Sequence, residues 1–337
     1  MESFLSFSYI WIMRVICIQQ RGRDPYFNLA VEEYLLKNFT EDIFMLWQSE
    51  SSIVVGKHQN ALAEINHRYV QENQIKVARR LSGGGTVFHD PGNLNFTFIR
   101  NVERLDQVNF KVFTEPVVAV LKQLGLDAYS TGRNDLLLDG KKISGNAEHV
   151  FKKRVLHHGT LLFNSELSRL KKALKVDLSR FEDKAVQSNR SEVTNIANYL
   201  KEPMPIEEFS AFMFDGIRAE YPEQEVYHLS DDDMQAIQKL RDEKYLTWEW
   251  IYGYSPKYKY SNQVEMDGSR LSFSLQVVKG IINSIDFLGK ISNEQAVLLT
   301  NSLLGTRHDY EELEGKLKKI EAGLAPISVD RLLKVLV

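Results

Sequence analysis

The most constraining feature of the sequence is a run of three glycines, Gly83, Gly84 and Gly85, which follows Arg79 and Arg80. Consecutive glycines destabilise a helix or a strand because glycine loses more backbone entropy on folding than any other residue. They suit a loop whose backbone N–H groups approach a bulky anion, and arginine supplies donors that phosphate oxygens accept. The segment matches neither GxxxxGK[ST] nor GxGxxG. It therefore predicts an anion-binding loop of another type, the alternative being a glycine-rich bulge with a surface arginine pair.

Length and composition limit the class of protein. The 337 residues suggest about two domains, and 43% hydrophobic residues are enough for a sizeable core. Lys and Arg number 42 against 45 Asp and Glu, and this balance argues against nucleic acid as a partner. Cys17 is the only cysteine, which excludes an intrachain disulfide and four-cysteine zinc sites. We expect a cytoplasmic protein without a membrane partner, because the apolar stretch 9–13 is far shorter than the ~20 residues of a membrane span.

Apolar periodicity and turn residues predict an α+β fold with mixed helices and antiparallel hairpins. Asp24 and Pro25 are typical of a helix start, and the turn signal Asp90-Pro91-Gly92-Asn93 separates two predicted strands. The predicted strands are 14–19, 43–47, 53–55, 86–88, 94–99, 134–138, 141–144 and 155–163, and the predicted helices are 26–37, 109–124, 166–174, 194–201, 206–219 and 231–243.

The pattern changes after about residue 248, where a small α+β unit is predicted. Strands are expected at 264–271 and 272–278, with Asp267-Gly268 at a hairpin turn, and at 281–287. Helices are expected at 292–303 and 308–321 and after Ser328. The predicted organisation is therefore an upstream extension, 1–12, before a natural start at Met13, a main domain, 13–247, and a C-terminal accessory domain, 250–337.

A predicted hairpin with Asp139-Gly140 at its turn carries two lysines. Alternation along the second strand places Lys142 and Ser144 on one face and Lys141 and Ile143 on the other. An ammonium group held on a rigid strand can act as a point charge toward a carboxylate and a phosphate at once. The alternative is that both lysines are solvated residues at the tip of a hairpin.

Two adjacent histidines, His157 and His158, lie on another predicted strand. Neighbouring strand residues point to opposite faces, so the pair cannot bind one metal ion without distortion. Adding His89 or His149 does not produce the spacing of a known zinc motif. Hydrogen-bonded core histidines are the favoured interpretation.

Seven segments in sequence order resemble the lipoate–protein ligase A family of the lipoate/biotin ligase superfamily. The resemblance extends from about Arg14 to the C-terminus and implies an α+β catalytic domain built on a mixed, largely antiparallel sheet. The segments are Asp24-Pro25-Tyr26-Phe27-Asn28-Leu29-Ala30, the run from Arg79 to Asp90, Gly132-Arg133-Asn134-Asp135, Lys142-Ile143-Ser144-Gly145, His157-His158-Gly159-Thr160, Val193-Thr194-Asn195 and Trp248-Glu249-Trp250.

This resemblance implies a two-step reaction and assigns residues to it. Lipoate and ATP would form lipoyl-adenylate, and the acyl group would pass to a lysine of an acceptor, either a lipoyl domain of a 2-oxoacid dehydrogenase or the glycine cleavage H protein. Lys142 would be the catalytic residue, contacting both substrates, and Asp135 would lie near Mg²⁺. The residues implied for ATP or adenylate are Arg80, Gly85, Thr86, Val87, Phe88, Asn134, Asp135, Lys142, Lys184 and Thr194, and those for lipoate are Lys142, Gly83, Gly84, His89 and His158.

Lipoate also needs an apolar slot, for which Trp47, Val54, Phe88 and Phe96 are candidates, although core packing suits most of them. The segment 184–195 resembles the loop that folds over the adenylate in this family, and its charge density predicts a mobile lid.

Three alternative functions stay open. The first is an octanoyl or lipoyl transferase, which would need a cysteine thioester and hence Cys17. The others are a biotin ligase and a catalytically silent protein that binds lipoate or a nucleotide.

Overall fold

The structure of the chain is a computed structural model, and it describes residues 14–104, 109–132, 134–174, 178–188, 191–266 and 269–337, without the side chains at 266 and 269. The predicted extension 1–12 with Met13, the residue Arg133 and the predicted turn Asp267-Gly268 lie outside these ranges. The chain divides into two compact units. The first unit comprises the described residues up to Ser49 with Pro91–Ser165 and Ser191–Gln238, and the second comprises Glu50–Asp90, Glu166–Arg190 and Lys239–Val337.

The strands and helices are numbered in chain order. The strands are β1 (Val15–Gln20), β2 (Asp42–Trp47), β3 (Ser52–Val55), β4 (Lys76–Arg79), β5 (Val87–His89), β6 (Asn93–Asn101), β7 (Tyr129–Ser130), β8 (Asp135–Leu138), β9 (Lys141–Phe151), β10 (Arg154–Leu162), β11 (Phe181–Asp183), β12 (Gln224–Val226), β13 (Tyr258–Met266), β14 (Ser269–Val278) and β15 (Ile281–Gly289). The helices are α1 (Pro25–Asn38), α2 (Ala61–Glu64), α3 (His67–Glu72), α4 (Phe110–Gln123), α5 (Leu167–Ala173), α6 (Ile206–Ala219), α7 (Asp231–Leu240), α8 (Asn293–Leu303), α9 (Tyr310–Lys319), α10 (Glu321–Leu324) and α11 (Val329–Leu336).

The first unit is built on one eight-stranded sheet in the order β12-β1-β2-β6-β10-β9-β8-β7. The pairs β12–β1 and β1–β2 are parallel, and the other five pairs are antiparallel. The prediction of an α+β fold with a mixed, largely antiparallel sheet is therefore confirmed. Helices α4 and α6 cover an aromatic core on one face, where the Phe44 ring stacks between Phe98 and Phe214. Helix α1 begins as predicted, with the Asp24 side chain accepting from the Tyr26 N–H at 3.4 Å and Pro25 in the first turn.

The second unit contains two smaller sheets. One has the order β4-β3-β5, with β3–β4 parallel and β3–β5 antiparallel, and it carries the glycine-rich segment between β4 and β5. The other is antiparallel, in the order β11-β13-β14-β15, and packs with α8, α9, α10 and α11 around a leucine-rich core. The small α+β unit predicted near the C-terminus is thus present. Within the described ranges, no helix combines the length and the apolar character that a membrane crossing requires.

Several predicted elements need correction. The strand predicted at 264–271 lies earlier in the chain, since β13 begins at Tyr258 and ends at Met266. The turn Asp90-Pro91-Gly92 does not join two strands of one sheet, since β5 pairs with β3 whereas β6 pairs with β2 and β10. The helix predicted at 194–201 is only a 3₁₀ turn, Ile196–Tyr199. The helix predicted at 231–243 ends at Leu240 and continues as a π-helical turn. The boundary predicted between 247 and 250 stays a prediction.

Candidate functional site

The first cluster of predicted site residues lies on the hairpin formed by β8 and β9. Asp139 and Gly140 have φ values of 51° and 73°, as a two-residue turn with both central residues in the left-handed region requires. The predicted hairpin is confirmed. It lies near one edge of the eight-stranded sheet, where β7 is the outermost strand, and Lys142 is the second residue of its return strand.

A β-bulge overturns part of the predicted alternation. Leu137 pairs with Lys142, whereas the preceding residue Leu136 pairs with Ser144, so Ile143 is an extra residue in β9. Directly opposed residues share a face, and Leu136 belongs to the aromatic core. Ser144 therefore lies on the core face with Ile143, and Lys142 lies on the opposite face. The prediction that Lys142 and Ser144 share a face is wrong because strict alternation does not allow for the extra residue.

Lys142 forms an ion pair on the face of the sheet opposite the aromatic core. Its Nζ lies 2.8 Å from Oδ1 of Asp135, and the two side chains are 23% and 28% exposed. A Cβ atom added to Gly145 would lie 3.3 Å from this Nζ, so the ammonium group passes over a glycine. The arrangement fixes a positive charge that remains accessible to an anion, and the carboxylate beside it can face a cation.

The segment after residue 191 brings a further predicted residue to Lys142. The Lys142 N–H donates to the Glu192 carbonyl at 2.9 Å, and the Thr194 N–H donates to the Lys142 carbonyl at 3.0 Å. Thr194 is buried, and Asn134 adjoins Asp135 at the start of β8. The first unit therefore brings together Lys142, Asp135, Asn134 and Thr194.

His158 lies on the face of the sheet that carries α1. Its Nδ1 contacts both carboxylate oxygens of Glu32 in α1, at 2.9 and 3.0 Å. The same carboxylate accepts from the Thr97 hydroxyl at 2.6 Å, which in turn accepts from the Trp47 indole N–H. His157 lies on the opposite face, stacked on Phe113 of α4 at 4.7 Å. The prediction of buried, hydrogen-bonded histidines on opposite faces is confirmed.

The candidates for an apolar slot differ in position. Trp47 lines a cavity of about 350 Å³ in the first unit, with Leu46 and Leu94 at its apolar side and Arg21 at its polar side. Phe96 is fully buried in the aromatic core. In the second unit, Val54 and Phe88 are also buried. Of these four side chains, Trp47 is the one that lines this cavity.

In the second unit, the two arginines before the glycines are buried, so they do not form a surface pair. Arg79 donates to the carbonyls of Gly56, Lys57, Gln59, Trp250 and Ile251 and to the Ser255 hydroxyl. Its side chain is 0% exposed, and burial lowers its pKa to about 10, which still leaves it charged at neutral pH. The expectation that both arginines face phosphate is wrong for Arg79, which joins three segments of the unit.

Arg80 shapes the glycine-rich segment. Its guanidinium donates at 2.7 Å to the carbonyls of Gly83 and Gly85, and its Nε donates to the Ser82 hydroxyl. Gly84 has a φ of 83°, and a Cβ atom on Gly56 would lie 2.1 Å from the Gly84 carbonyl oxygen. The segment is therefore a closely packed loop that only glycine permits at these two positions. Val87, Phe88 and His89 follow it as strand β5, where Phe88 and His89 are buried.

Sequence reasoning missed a polar network beside Thr86. The Thr86 N–H donates to the Ser188 hydroxyl at 2.8 Å, and the Thr86 hydroxyl donates to the Gln59 side chain at 2.9 Å. Ser188 also donates to Glu64, whose pKa is raised by burial. Lys184, in the same segment as Ser188, is exposed. No local motif marks Gln59 or Glu64, although their polarity beside apolar neighbours is a weak signal.

Among the described residues, no group of three or more His, Cys, Asp or Glu side chains could hold a metal ion. Asp135 is the predicted metal contact, and a single, partly exposed carboxylate fits Mg²⁺ only when substrate phosphates supply further oxygens.

Comparison with known families agrees with this fold. The Lipoyl protein ligase A/B catalytic domain matches residues 24–218, and the Bacterial lipoate protein ligase C-terminus matches residues 255–336. The fold and these matches define an α+β protein of the lipoyl ligase type. Lipoate–protein ligase 1 of Staphylococcus aureus is 41% identical over 88% of this chain and 92% of its own length, and lipoate-protein ligase LplJ of Bacillus subtilis is 40% identical over 86% and 89%. The chain belongs to the lipoate–protein ligase family.

Solved structures give the same result. A bipartite lipoate protein ligase from Thermoplasma acidophilum, studied with its E2 lipoyl domain, is 26% identical, with a TM-score of 0.62 over 72% of this chain and 97% of that one. LipL1 of Plasmodium falciparum in complex with lipoate is 25% identical, with a TM-score of 0.61 over 90% and 94%. A lipoate-protein ligase A bound with ATP is 26% identical, with a TM-score of 0.59 over 72% and 99%.

Proposed function

We propose that this chain uses ATP to activate lipoate as lipoyl-adenylate and then transfers the lipoyl group to a lysine of an acceptor protein. The observation that carries the proposal is the Lys142 ammonium group, held 2.8 Å from Asp135 on a bulged strand and still partly exposed. Family membership supports the reaction class, because the matched relatives are named lipoate–protein ligases.

The chemistry explains why a fixed ammonium group is needed. In the first step a lipoate carboxylate oxygen attacks the α-phosphorus of ATP, and the bond from that phosphorus to the pyrophosphate oxygen breaks. Two anions must approach each other, so a positive charge in place before the reaction lowers the barrier. In the second step the acceptor lysine amine attacks the acyl carbon, the amide forms, AMP leaves, and the amine proton passes to solvent. Lys142 is assigned to the first step.

The remaining site residues are assigned by the family pattern and by their local geometry. We assign Arg80 to shaping the loop that meets ATP, since it fixes the carbonyls of Gly83 and Gly85. The ligase neighbour bound with ATP supports a nucleotide substrate, and the neighbour in complex with lipoate supports the acyl substrate. The proposed contacts to ATP or adenylate are Arg80, Gly85, Thr86, Val87, Phe88, Asn134, Asp135, Lys142, Lys184 and Thr194, and those to lipoate are Gly83, Gly84, His89, Lys142 and His158.

Mg²⁺ is proposed as the metal that accompanies ATP. Asp135 has a partly exposed carboxylate and would hold the ion together with substrate phosphates, which is how Mg²⁺ usually binds in nucleotide enzymes. The ion would neutralise phosphate charge when bound.

The proposed lid, 184–195, includes Ser188, which contacts Thr86. We further propose that the chain acts in the cytoplasm.

The proposed acceptors are apo lipoyl domains and the glycine cleavage H protein. The Thermoplasma ligase studied with its E2 lipoyl domain supports the first of these. The test combines the purified chain, ATP, Mg²⁺ and lipoate with an apo lipoyl domain or an apo H protein, and intact mass reports acceptor modification. The expected mass gain requires all three small molecules and is lost when the acceptor lysine is replaced by arginine. Modification without ATP would contradict the proposal.

The environment of Cys17 favours a ligase over a transferase that forms a thioester on cysteine. Its side chain is fully buried on β1, and burial raises the pKa of the thiol to about 11. Its thiolate is therefore scarce at neutral pH, which makes it a poor nucleophile. We predict that Cys17→Ser keeps ligase turnover within about twofold of the wild type, well under the tenfold change that corresponds to ~1.4 kcal/mol of barrier. The measurement is the rate of acceptor modification, and an acyl-enzyme trapped at Cys17 would favour the transferase.

A further inference from the structure

A buried hydrogen-bonded group lies on the face of the sheet opposite to Lys142, next to the later part of β9. His157 of β10 is 0% exposed and packs among the rings of Phe96, Phe110 and Phe113. Both of its ring nitrogens contact side-chain oxygens of β9. Nδ1 lies 2.9 Å from Oε1 of Glu148, and Nε2 lies 3.2 Å from Oδ1 of Asn146. A polar group in so apolar a cluster is stable only when it is hydrogen-bonded.

The bonds of Asn146 determine which atom carries the proton. Its Nδ2 donates to the Asn134 carbonyl at 3.0 Å and to the Ser144 hydroxyl at 3.2 Å. A carbonyl oxygen only accepts, so the amide nitrogen must face Asn134 and the amide oxygen must face His157. Nε2 of His157 is therefore the donor in its contact with Asn146. Because Nε2 already donates, a His157 that also donates from Nδ1 to Glu148 must be an imidazolium. Burial disfavours that form and lowers the pKa of His157, whereas the contact with Glu148 acts in the opposite direction.

Asn146 fastens β9 to the start of β8 on the side of the bulge away from Lys142. Its side chain joins Ser144, the residue after the bulge, to Asn134, the residue before Asp135, and its own N–H also donates to the Asn134 carbonyl at 2.7 Å. These bonds fix the pairing register immediately after the bulge. Gly159, opposite Asn146, leaves the necessary room, since a Cβ atom there would lie 2.3 Å from Oδ1 of Asn146. The bulge decides which face Lys142 occupies, because a shift of one residue moves a side chain to the other face.

We propose that His157 is a positioning residue of the ligase reaction: acting through Asn146, it holds the bulge in β9 that turns Lys142 toward the substrates. This inference rests on the proposed function. His157 itself lies on the core face and is not a catalytic residue. Its effect on the reaction passes through one hydrogen bond, from Nε2 to Asn146, and can be separated from its contact with Glu148.

A pair of variants isolates that hydrogen bond. In His157→Gln the amide nitrogen can occupy the place of Nε2 and donate to Asn146. In His157→Asn the shorter side chain reaches only the place of Nδ1 and the Glu148 contact. Lipoate-dependent ATP–pyrophosphate exchange is measured for both. We expect His157→Gln to keep kcat within about threefold of the wild type and His157→Asn to lower kcat about 10- to 100-fold, as misplacement of a reacting group does. KM for ATP and for lipoate should change less than kcat.

Controls keep the test decisive. Phe113→Leu loosens the same aromatic cluster without touching a hydrogen bond, and it should lower the unfolding temperature while leaving kcat near the wild-type value. Asn146→Ala removes the other partner and should reproduce the kcat loss, so the test survives if His157→Asn does not fold. Equal kcat values for His157→Gln and His157→Asn, or a wild-type kcat for Asn146→Ala, would overturn the inference. Absence of lipoate-dependent exchange in the wild type would instead overturn the proposed function.

Discussion

Replacing Lys142 with alanine is expected to lower lipoyl-adenylate formation by about 100- to 1,000-fold, which is the usual effect of removing one fixed group that stabilises transition-state charge. The ammonium group pairs with Asp135 and stays partly exposed, so the change removes charge from the site without opening a cavity in the core. The fold should be retained. The measurement is lipoate-dependent ATP–pyrophosphate exchange, with circular dichroism to check folding.

Lys141→Ala is the matched control for this change. Lys141 is the neighbouring residue and carries the same charge, but it pairs with Leu138 in the hairpin and its Nζ lies 3.5 Å from the exposed carboxylate of Glu192. A surface ion pair of this kind contributes ~1 kcal/mol or less to stability. We expect little change in exchange activity. Similar losses from both substitutions would show that general positive charge, and not the position of Lys142, supports the reaction.

Replacing Arg79 with methionine is expected to destabilise the second unit by at least about 3 kcal/mol, because several buried acceptors lose their donors at once. The guanidinium now donates to five backbone carbonyls and to the Ser255 hydroxyl. Lysine should not rescue the change, since one ammonium group has only three donors and lacks the planar fork of arginine. Thermal unfolding followed by circular dichroism measures the effect, and the midpoint should fall by several degrees.

Arg68→Met provides the comparison for Arg79. Arg68 forms an exposed pair with Glu72 four residues later in α3, and solvent screens such pairs so that they contribute little to stability. Its loss should leave the unfolding midpoint nearly unchanged. An Arg79→Met protein that unfolds at the wild-type temperature would show that the buried carbonyls find other donors, and would contradict the framework role given to Arg79.

Local signals predicted most of the regular structure of this chain. Asp24-Pro25 marks the start of α1, Asp139-Gly140 marks the hairpin turn beside Lys142, and Ser292 begins α8 with a capping box. Each of these depends on residues within a few positions of one another, so the physical cause is visible in the sequence. The missed strands β4, β7, β11 and β12 have two to four residues, which is too short for a periodic pattern to show.

The sequence predicts candidate site residues but not their geometry. The sequence indicates Lys142 as an important lysine, but the bulge at Ile143 lies beside a contact of Asn134 with Asn146, which become neighbours only when β8 and β9 pair. Arg79 and Arg80 look equivalent in the sequence. They differ because the acceptors of Arg79 include Trp250 and Ile251, which lie about 170 positions away in the chain. Interactions this distant leave no local pattern.

The central claim is that the chain forms lipoyl-adenylate with the help of Lys142 and without a covalent acyl-enzyme. The most direct measurement is ATP–pyrophosphate exchange with and without lipoate, in the absence of any acceptor protein. The account predicts exchange that depends on lipoate, persists in Cys17→Ser and is almost abolished in Lys142→Ala. Exchange that does not depend on lipoate, or a Lys142→Ala protein with wild-type exchange, would contradict it.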